Sequence, residues 1–242
     1  MKRIAGVMLI GLSVCLAWRY FTTPVPTVLS IRIGQAFDEV AKDSSYPVLA
    51  SSDSPHSDRH GMGVTWVTKP AVIIKFTDPR YGFTLPPTTF GAVMYVDKKV
   101  STVRTSASLK KLTFADAASV LENLQGQLQH GGWQLDDQTT WFDFSRQGKK
   151  ALHDDVRSIK TGYMKFLSLV APEKYSVYLT IYCAADCDSA IGLDRYLVDV
   201  GIGEDFSFNI KQLVTFPPHP AIENLRSPIR SRHTSPIDQS PY

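Results

Sequence analysis

Two neighbouring stretches of alternating residues constrain the fold of this chain more than any other feature. Residues 163–170 and 175–182 carry apolar side chains at alternating positions and contain aromatic and β-branched residues, which favour strands. Only Ala171-Pro172-Glu173-Lys174 separates them, a composition that is typical of a turn. The pattern predicts an antiparallel hairpin, and with it a fold built on a sheet.

Further strand-forming runs occur elsewhere in the chain. Residues 91–96 and 100–105 flank Asp97-Lys98-Lys99, which predicts a second hairpin. Residues 71–76 and 196–202 have the composition of single strands, and residues 44–63 that of a loop.

One segment carries helix signals at both of its ends. Thr113 can cap its start, and Gly131-Gly132 can end it after His130. The apolar residues between them fall on one face: Ala117, Leu121, Leu124 and Leu128.

Two weaker patterns predict helices over residues 34–43 and 146–159. The second would place Ala151, Leu152, Val156 and Ile159 on one side. Strands grouped around two or three helices predict an α+β fold, with an antiparallel sheet packed on the helices.

The N-terminus resembles a membrane anchor or a signal segment. Residues 4–18 contain no charged side chain and follow Lys2-Arg3. As a helix they would rise roughly 22 Å, a little less than the hydrocarbon core of a bilayer. Cleavage after Ala17 and lipidation at Cys15 are alternatives to an uncleaved anchor. The basic start places the N-terminus in the cytoplasm, so all three alternatives export the remainder of the chain.

These patterns divide the chain into four parts. Residues 1–21 are expected to form the anchor or signal segment and residues 22–30 a spacer. Residues 31–215 are expected to form the exported α+β domain. A Pro-rich flexible tail is expected over residues 216–242.

The charge balance excludes one class of partner. The chain has 26 basic and 23 acidic residues, and Lys2, Arg3 and Arg19 account for the whole net charge of +3. A body without net charge gives no basic face for a nucleic acid, so no nucleic-acid partner is expected.

The two cysteines of the body are close in sequence. In an exported domain, Cys183 and Cys187 are expected to form a disulfide at the end of a strand. The alternative, a metal pair, needs two further ligands, and no second cysteine pair exists in the sequence.

The sequence contains none of the common catalytic or cofactor motifs that we sought. It has no phosphate-binding loop, no dinucleotide fingerprint, no nucleophile elbow and no helical zinc motif, so we expect no enzyme and no cofactor. A minor alternative is a metal-dependent hydrolase that uses His56, Asp58 and His60. Alternate residues share a face in an extended chain, but a solvated loop explains these residues as well.

Aromatic and acidic residues are interleaved in one segment. Trp141 lies close to acidic residues, a combination that suits a protein interface as well as core packing. The residues that we expect to bind a partner are Asp136, Asp137, Trp141, Asp143, Asp154 and Asp155.

This architecture resembles two kinds of bacterial envelope protein. One is the immunity protein that inhibits a secreted antibacterial toxin enzyme, and the other is an accessory or structural subunit of an envelope assembly. The short apolar span and its two-residue basic stub predict a single-pass protein of a bacterial inner membrane with its body in the periplasm. We expect the first, with a secreted toxin as partner, and keep the second, with another envelope protein as partner, as the alternative.

Overall fold

The structure, a computed structural model, describes residues 26–136, 139–187 and 192–205. Three helices and eleven strands occur in this part of the chain. The helices are α1 (Phe37–Asp43), α2 (Phe114–His130) and α3 (Arg146–Val156). The strands are β1 (Thr27–Ile31), β2 (Ser52–Asp53), β3 (Gly63–Val67), β4 (Val72–Phe76), β5 (Phe83–Thr84), β6 (Gly91–Val96), β7 (Lys99–Ser106), β8 (Gln134–Leu135), β9 (Met164–Ala171), β10 (Tyr175–Ala185) and β11 (Arg195–Glu204).

Most of the strands form an eight-stranded antiparallel sheet with the order β2-β3-β6-β7-β11-β10-β9-β8. Both predicted hairpins are confirmed, as β6–β7 and β9–β10. Their turns place Asp97, Lys98 and Glu173 at positive φ, which tight hairpin turns require. The mixed α+β class with antiparallel pairing is therefore confirmed.

A second, three-stranded sheet was not predicted. Its order is β1-β4-β5, and β1 pairs with β4 in parallel, Leu29 opposite Ile74. The spacer predicted over residues 22–30 is wrong from Thr27 onward, because these residues belong to β1 and Leu29 is completely buried. The first described part of the chain is thus part of the core.

Helix α2 confirms the clearest helix prediction. The Thr113 side chain accepts a hydrogen bond from the Asp116 N–H at 3.2 Å, and the four predicted apolar residues are buried. Helix α1 begins at Phe37 rather than at residue 34.

Helix α3 is shorter than predicted. It ends at Val156, and a separate 3-10 turn follows over Ile159–Thr161. Placing Ile159 on its buried face was wrong, because this side chain lies past the end of the helix and is 76% exposed. Ala151 is exposed as well, so Leu152 and Val156 are the buried members of the predicted face.

The eight-stranded sheet has one covered face and one exposed face. Its inner face joins the three-stranded sheet and the helices in one hydrophobic core. Helix α2 packs on β10 and β11, and α3 packs on β9 and β10. The opposite face carries Trp66, Met94 and Tyr178, all about half exposed.

Several predictions lie outside the described residues. These are the anchor over residues 1–21 with its apolar run 4–18, and the tail over residues 216–242. By its internal contacts the chain divides after Asp205, and the second unit is outside the described part. Within the described ranges, no helix has the length and apolar character to cross a membrane.

Candidate functional site

A groove of about 670 Å³ lies where the start of β9, helix α3 and the segment 139–143 meet. Gly148, Ala151, Leu152 and Asp155 of α3 contribute one part of its lining. Met164, Lys165 and Phe166 of β9 contribute another part. The remaining lining residues are Thr139, Thr140, Trp141, Phe142, Asp143 and Thr161.

The groove follows a part of β9 that its neighbour in the sheet does not cover. Strand β8 pairs only with Leu169 and Val170. Next along the edge, Ser168 is bonded outside the ladder. Its carbonyl accepts hydrogen bonds from the Asp136 N–H and the Thr139 hydroxyl, and its N–H donates to the Thr139 hydroxyl. From Thr139 onward the chain lines the groove.

The backbone groups of Met164 and Phe166 point out of the sheet. Hydrogen bonding alternates along an antiparallel pair, and Ser168 directs its N–H and C=O away from β10. Met164 and Phe166 are in the same phase as Ser168. No hydrogen bond joins their N–H or C=O groups to another described residue. Their side chains are 42% and 51% exposed, so this edge of the sheet is open.

The start of α3 forms a second wall. The Ser145 hydroxyl accepts a hydrogen bond from the Gly148 N–H, which caps the helix. The Asp143 carboxylate accepts hydrogen bonds from the N–H and hydroxyl of Ser145 at 2.8 and 2.9 Å, and these hold its pKa below the usual value. A side chain at Gly148 would collide with Asp143, so this glycine permits the close approach. Asp143 is thereby fixed as an ionised group at the rim.

An ion pair links the other two charged residues of the lining. Lys165 Nζ lies 2.7 Å from Asp155 Oδ2, with both side chains a little over 40% exposed. The pair draws the lysine from β9 toward α3. The lining of the groove therefore carries one compensated pair and the Asp143 carboxylate.

The structure brings together three of the six residues predicted to bind a partner, namely Trp141, Asp143 and Asp155. Asp136 lies beside the groove, where it accepts a hydrogen bond from the Ser168 hydroxyl. Asp154 instead pairs with Lys150 on the exposed side of α3. Asp137 is outside the described residues.

Met164 and Phe166 were missed as site residues. Their alternation with Leu167 marked them as members of a strand, but an isolated strand does not show which of its faces is covered. The signal that could have identified them is two large apolar residues at the alternating positions of a strand that normally carry polar side chains.

A separate buried cluster connects α3 to β11. The Tyr196 hydroxyl donates to the Asp194 carboxylate, His153 Nε2 lies 3.3 Å from the same oxygen, and the Phe114 ring packs on the imidazole. Burial would raise the pKa of Asp194, but the hydrogen bonds from Tyr196 and His153 outweigh it and the pKa is lowered. We interpret the cluster as a polar clamp between the two elements.

The geometry proposed for a histidine metal site is wrong. Ser57–Arg59 forms a 3-10 turn and His60 has φ of 53°, so His56, Asp58 and His60 do not lie along an extended chain. All three side chains are exposed. Among the described residues, no group of three or more His, Cys, Asp or Glu side chains is placed to hold a metal ion.

The two cysteines of the body lie at the end of β10. Cys183 and Cys187 are disulfide-bonded, with Cα atoms 5.7 Å apart. Arg157 Nε, just past α3, donates to the Cys187 carbonyl at 3.4 Å. This bond places the short cysteine loop next to the end of that helix.

Comparisons with known proteins give no relative for this chain: no family model matches it, and neither does any curated protein or solved structure.

Proposed function

We propose that this chain is a binding protein that acts through the groove between α3 and β9. The observation that carries the proposal is the convergence of residues from three separate segments on one surface. Trp141 and Asp143 come from the loop before α3, Asp155 from the helix, and Met164 and Phe166 from β9.

The composition of the groove supports a protein partner. Exposed Met and Phe side chains beside a half-buried Trp are the residue types enriched at protein interfaces. Ionised Asp143 at the rim favours a basic group on the partner and disfavours an acidic one. Such a surface selects its partner by shape and charge.

The proposed role is that of a periplasmic immunity protein, which inhibits a secreted antibacterial toxin enzyme. The apolar run over residues 4–18 supports export with retention at the inner membrane. An inhibitor needs a binding surface and no catalytic group of its own. The groove supplies such a surface on the exported body.

A second observation favours the alternative, a subunit of an envelope assembly. Trp66, Met94 and Tyr178 are 55%, 49% and 49% exposed on the outer face of the large sheet. Apolar side chains on an uncovered face are typical of surfaces that are buried in assemblies. By register Phe166, opposite Thr180, lies on this same outer face as Tyr178.

The test combines capture with inhibition. The full chain in mild detergent is used to capture proteins from the secreted fraction of the cells that carry its gene. The activity of a captured enzyme is then titrated with the chain. We expect inhibition at equimolar ratio, and cells that lack the gene should become sensitive to competitors that secrete the enzyme.

Matched variants locate the surface. Phe166→Ala and Asp143→Ala should each weaken inhibition by about tenfold, because each removes a groove contact. Asp154→Ala removes a carboxylate of α3 that lies outside the groove and should leave inhibition unchanged. The proposal fails if no secreted enzyme is inhibited and the deletion strain is no more sensitive. An envelope defect of that strain in pure culture would favour the assembly subunit.

A further inference from the structure

We infer that the groove binds its partner by strand addition: an extended segment of the partner pairs with the open edge of β9. The inference rests on the proposed function for the existence of a protein partner, and it specifies which chemistry that partner presents. The segment is expected to offer backbone N–H and C=O groups, alternating apolar side chains and one basic residue.

The backbone of β9 carries the argument. Met164 and Phe166 direct two N–H and two C=O groups into the groove, with no bond to another described residue. Their spacing is that of an antiparallel ladder, which only another extended backbone matches along its length. An apolar ligand or a helix would leave these four groups unpaired. The groove therefore favours an extended polypeptide.

The flanking side chains also favour strand addition. Soluble proteins commonly guard an open edge with a charged residue, most often lysine, that lies over it. Lys165 is the lysine at this edge, but its ammonium is held by Asp155 at 2.7 Å on the α3 side. Met164 and Phe166 present apolar side chains instead. The lysine that could protect the open edge is therefore held away from it by Asp155.

The position of β8 sets the register of the added strand. Strand β8 covers the edge at Leu169 and Val170, and Thr139 covers it at Ser168. A partner strand can therefore begin opposite Leu167 and continue the line of β8 past Met164. One set of its alternating side chains would face the wall formed by Trp141 and α3.

Charge specifies one further property of the segment. Asp155 and Lys165 compensate each other, which leaves Asp143 as the uncompensated charge of the lining. Ser145 holds its carboxylate in the ionised form at the rim. A lysine or arginine near the end of the partner strand complements it.

The test uses selected peptides as the probe. A displayed library of random peptides of about twelve residues is selected on the full chain in detergent, and the best binder is synthesised. Each backbone nitrogen of this peptide is then methylated in turn. Strand addition predicts losses of about tenfold or more at every second position and small effects between them, because only alternate N–H groups face β9.

Two variants and one protection measurement test the protein side. Phe166→Pro removes the outward N–H and should abolish binding of the peptide, whereas Phe166→Ala keeps the N–H and should weaken binding only several-fold. Hydrogen exchange of the wild-type chain should slow at Met164 and Phe166 on saturation by about tenfold or more. Lys165 and Leu167, which already pair with β10, should change less.

Four outcomes would overturn the inference. These are a library that gives no binder, methyl effects without alternation, protection confined to residues outside β9, and a dimer of the full chain that Phe166→Pro dissolves. The last would show that a second copy occupies the edge.

The inference and the proposed function can fail separately. If the alternation holds while no secreted enzyme is inhibited, strand addition stands and the partner is not a toxin. If an enzyme is inhibited through the groove but the alternation is absent, the immunity role stands and strand addition is overturned.

Discussion

The two edges of the eight-stranded sheet have similar parts but end differently. Each carries a two-residue strand, β2 or β8, and a hydroxyl that bonds to the backbone beyond it. The Tyr46 hydroxyl donates to the Trp66 carbonyl at 2.7 Å and accepts from the Thr68 N–H at 3.3 Å. Thr139 does the same for Ser168.

The difference lies in how far each edge strand continues. Strand β3 ends at Val67, next to the residue that Tyr46 covers, whereas β9 extends past Ser168 to Met164. A short edge can be covered by one side chain, but a long one needs another strand. Of the two edges, β9 is therefore the one with room for an added strand.

The largest effect should distinguish the β9 residues whose N–H groups face β10 from those whose N–H groups face outward. Leu167→Pro removes an N–H that faces β10 and a completely buried side chain, so we expect a loss of about 4 kcal/mol or more in the free energy of unfolding. Phe166→Pro changes an outward N–H and should cost only about 1 kcal/mol. Urea unfolding measures both. Equal losses in the free energy of unfolding would show that the Phe166 N–H does not face away from β10.

The elements that depend on local signals could be predicted from the sequence. Both hairpins follow from alternation and turn residues, and α2 follows from the Thr113 cap and its apolar face. Strand β1 could not be predicted, because its five residues are stabilised by pairing with β4, 45 residues away. The Trp66-containing strand β3 was missed for the same reason.

The candidate site shows the same division. The mixture of aromatic and acidic residues around Trp141 and Asp143 was visible in the sequence. The open edge was not, because its position depends on the order of the strands. Strand β11 inserts between β7 and β10, and this places β9 near the border of the sheet. Strand order is a non-local property.

The second effect concerns β10, which supports the open edge from inside the sheet. The Tyr175 hydroxyl donates to the buried Asp78 carboxylate at 3.0 Å, so Tyr175→Phe should cost about 1.5 kcal/mol in the free energy of unfolding. Tyr178→Phe on the same strand, with an exposed side chain, should stay within about 0.5 kcal/mol. An equal loss in both variants would mean that the bond to Asp78 is not what makes the Tyr175 hydroxyl stabilising.

The hydrogen-bonded pair of Tyr175 and Asp78 predicts how the free energy of unfolding depends on pH. Burial would raise the pKa of Asp78, but hydrogen bonds from the N–H groups of Tyr81 and Arg80 and from Tyr175 hold it below its usual value. Its contribution is present above the unfolded pKa of 3.8 and is lost as the pH falls through the lower folded pKa.

On the alkaline side, burial and Asp78 raise the pKa of Tyr175 from 10.0 to about 12, so its contribution fades as the pH rises between these values. Tyr175→Phe should remove the Tyr175 part of the alkaline loss, to which Tyr196 with its raised pKa also contributes, and should reduce the acid loss. Urea unfolding across the pH range measures both limbs. If the variant loses as much stability at alkaline pH as the wild-type chain, Tyr175 is not a source of that loss.

The third effect tests the covered edge. Tyr46→Phe removes the hydroxyl that bonds to the Trp66 carbonyl and the Thr68 N–H, and should cost about 1 kcal/mol. It should also increase self-association, measured by sedimentation, because the edge of β3 is then uncovered. Tyr81→Phe, whose hydroxyl bonds to no described residue, is the buried control. A Tyr46→Phe chain that stays stable and monomeric would show that Tyr46 does not protect this edge.

The smallest effect concerns the lysine that is turned away from β9. Asp155→Ala releases Lys165, whose side chain can then lie over the edge and lower the affinity for a selected strand peptide by about threefold. Lys165→Ala should leave the affinity within about twofold, and the double variant should match it. Stability should change by less than about 1 kcal/mol in each, because the pair is exposed.

The control for this cycle is Asp154→Ala, which releases Lys150 on the exposed side of α3 and should not affect the peptide. Titration calorimetry of the four chains with one peptide measures the cycle. If Lys165→Ala weakens binding as much as Asp155→Ala does, then Lys165 itself contacts the peptide. The edge of β9 would in that case be recognised through its charge, and the contrast with the edge of β3 would no longer depend on unpaired backbone.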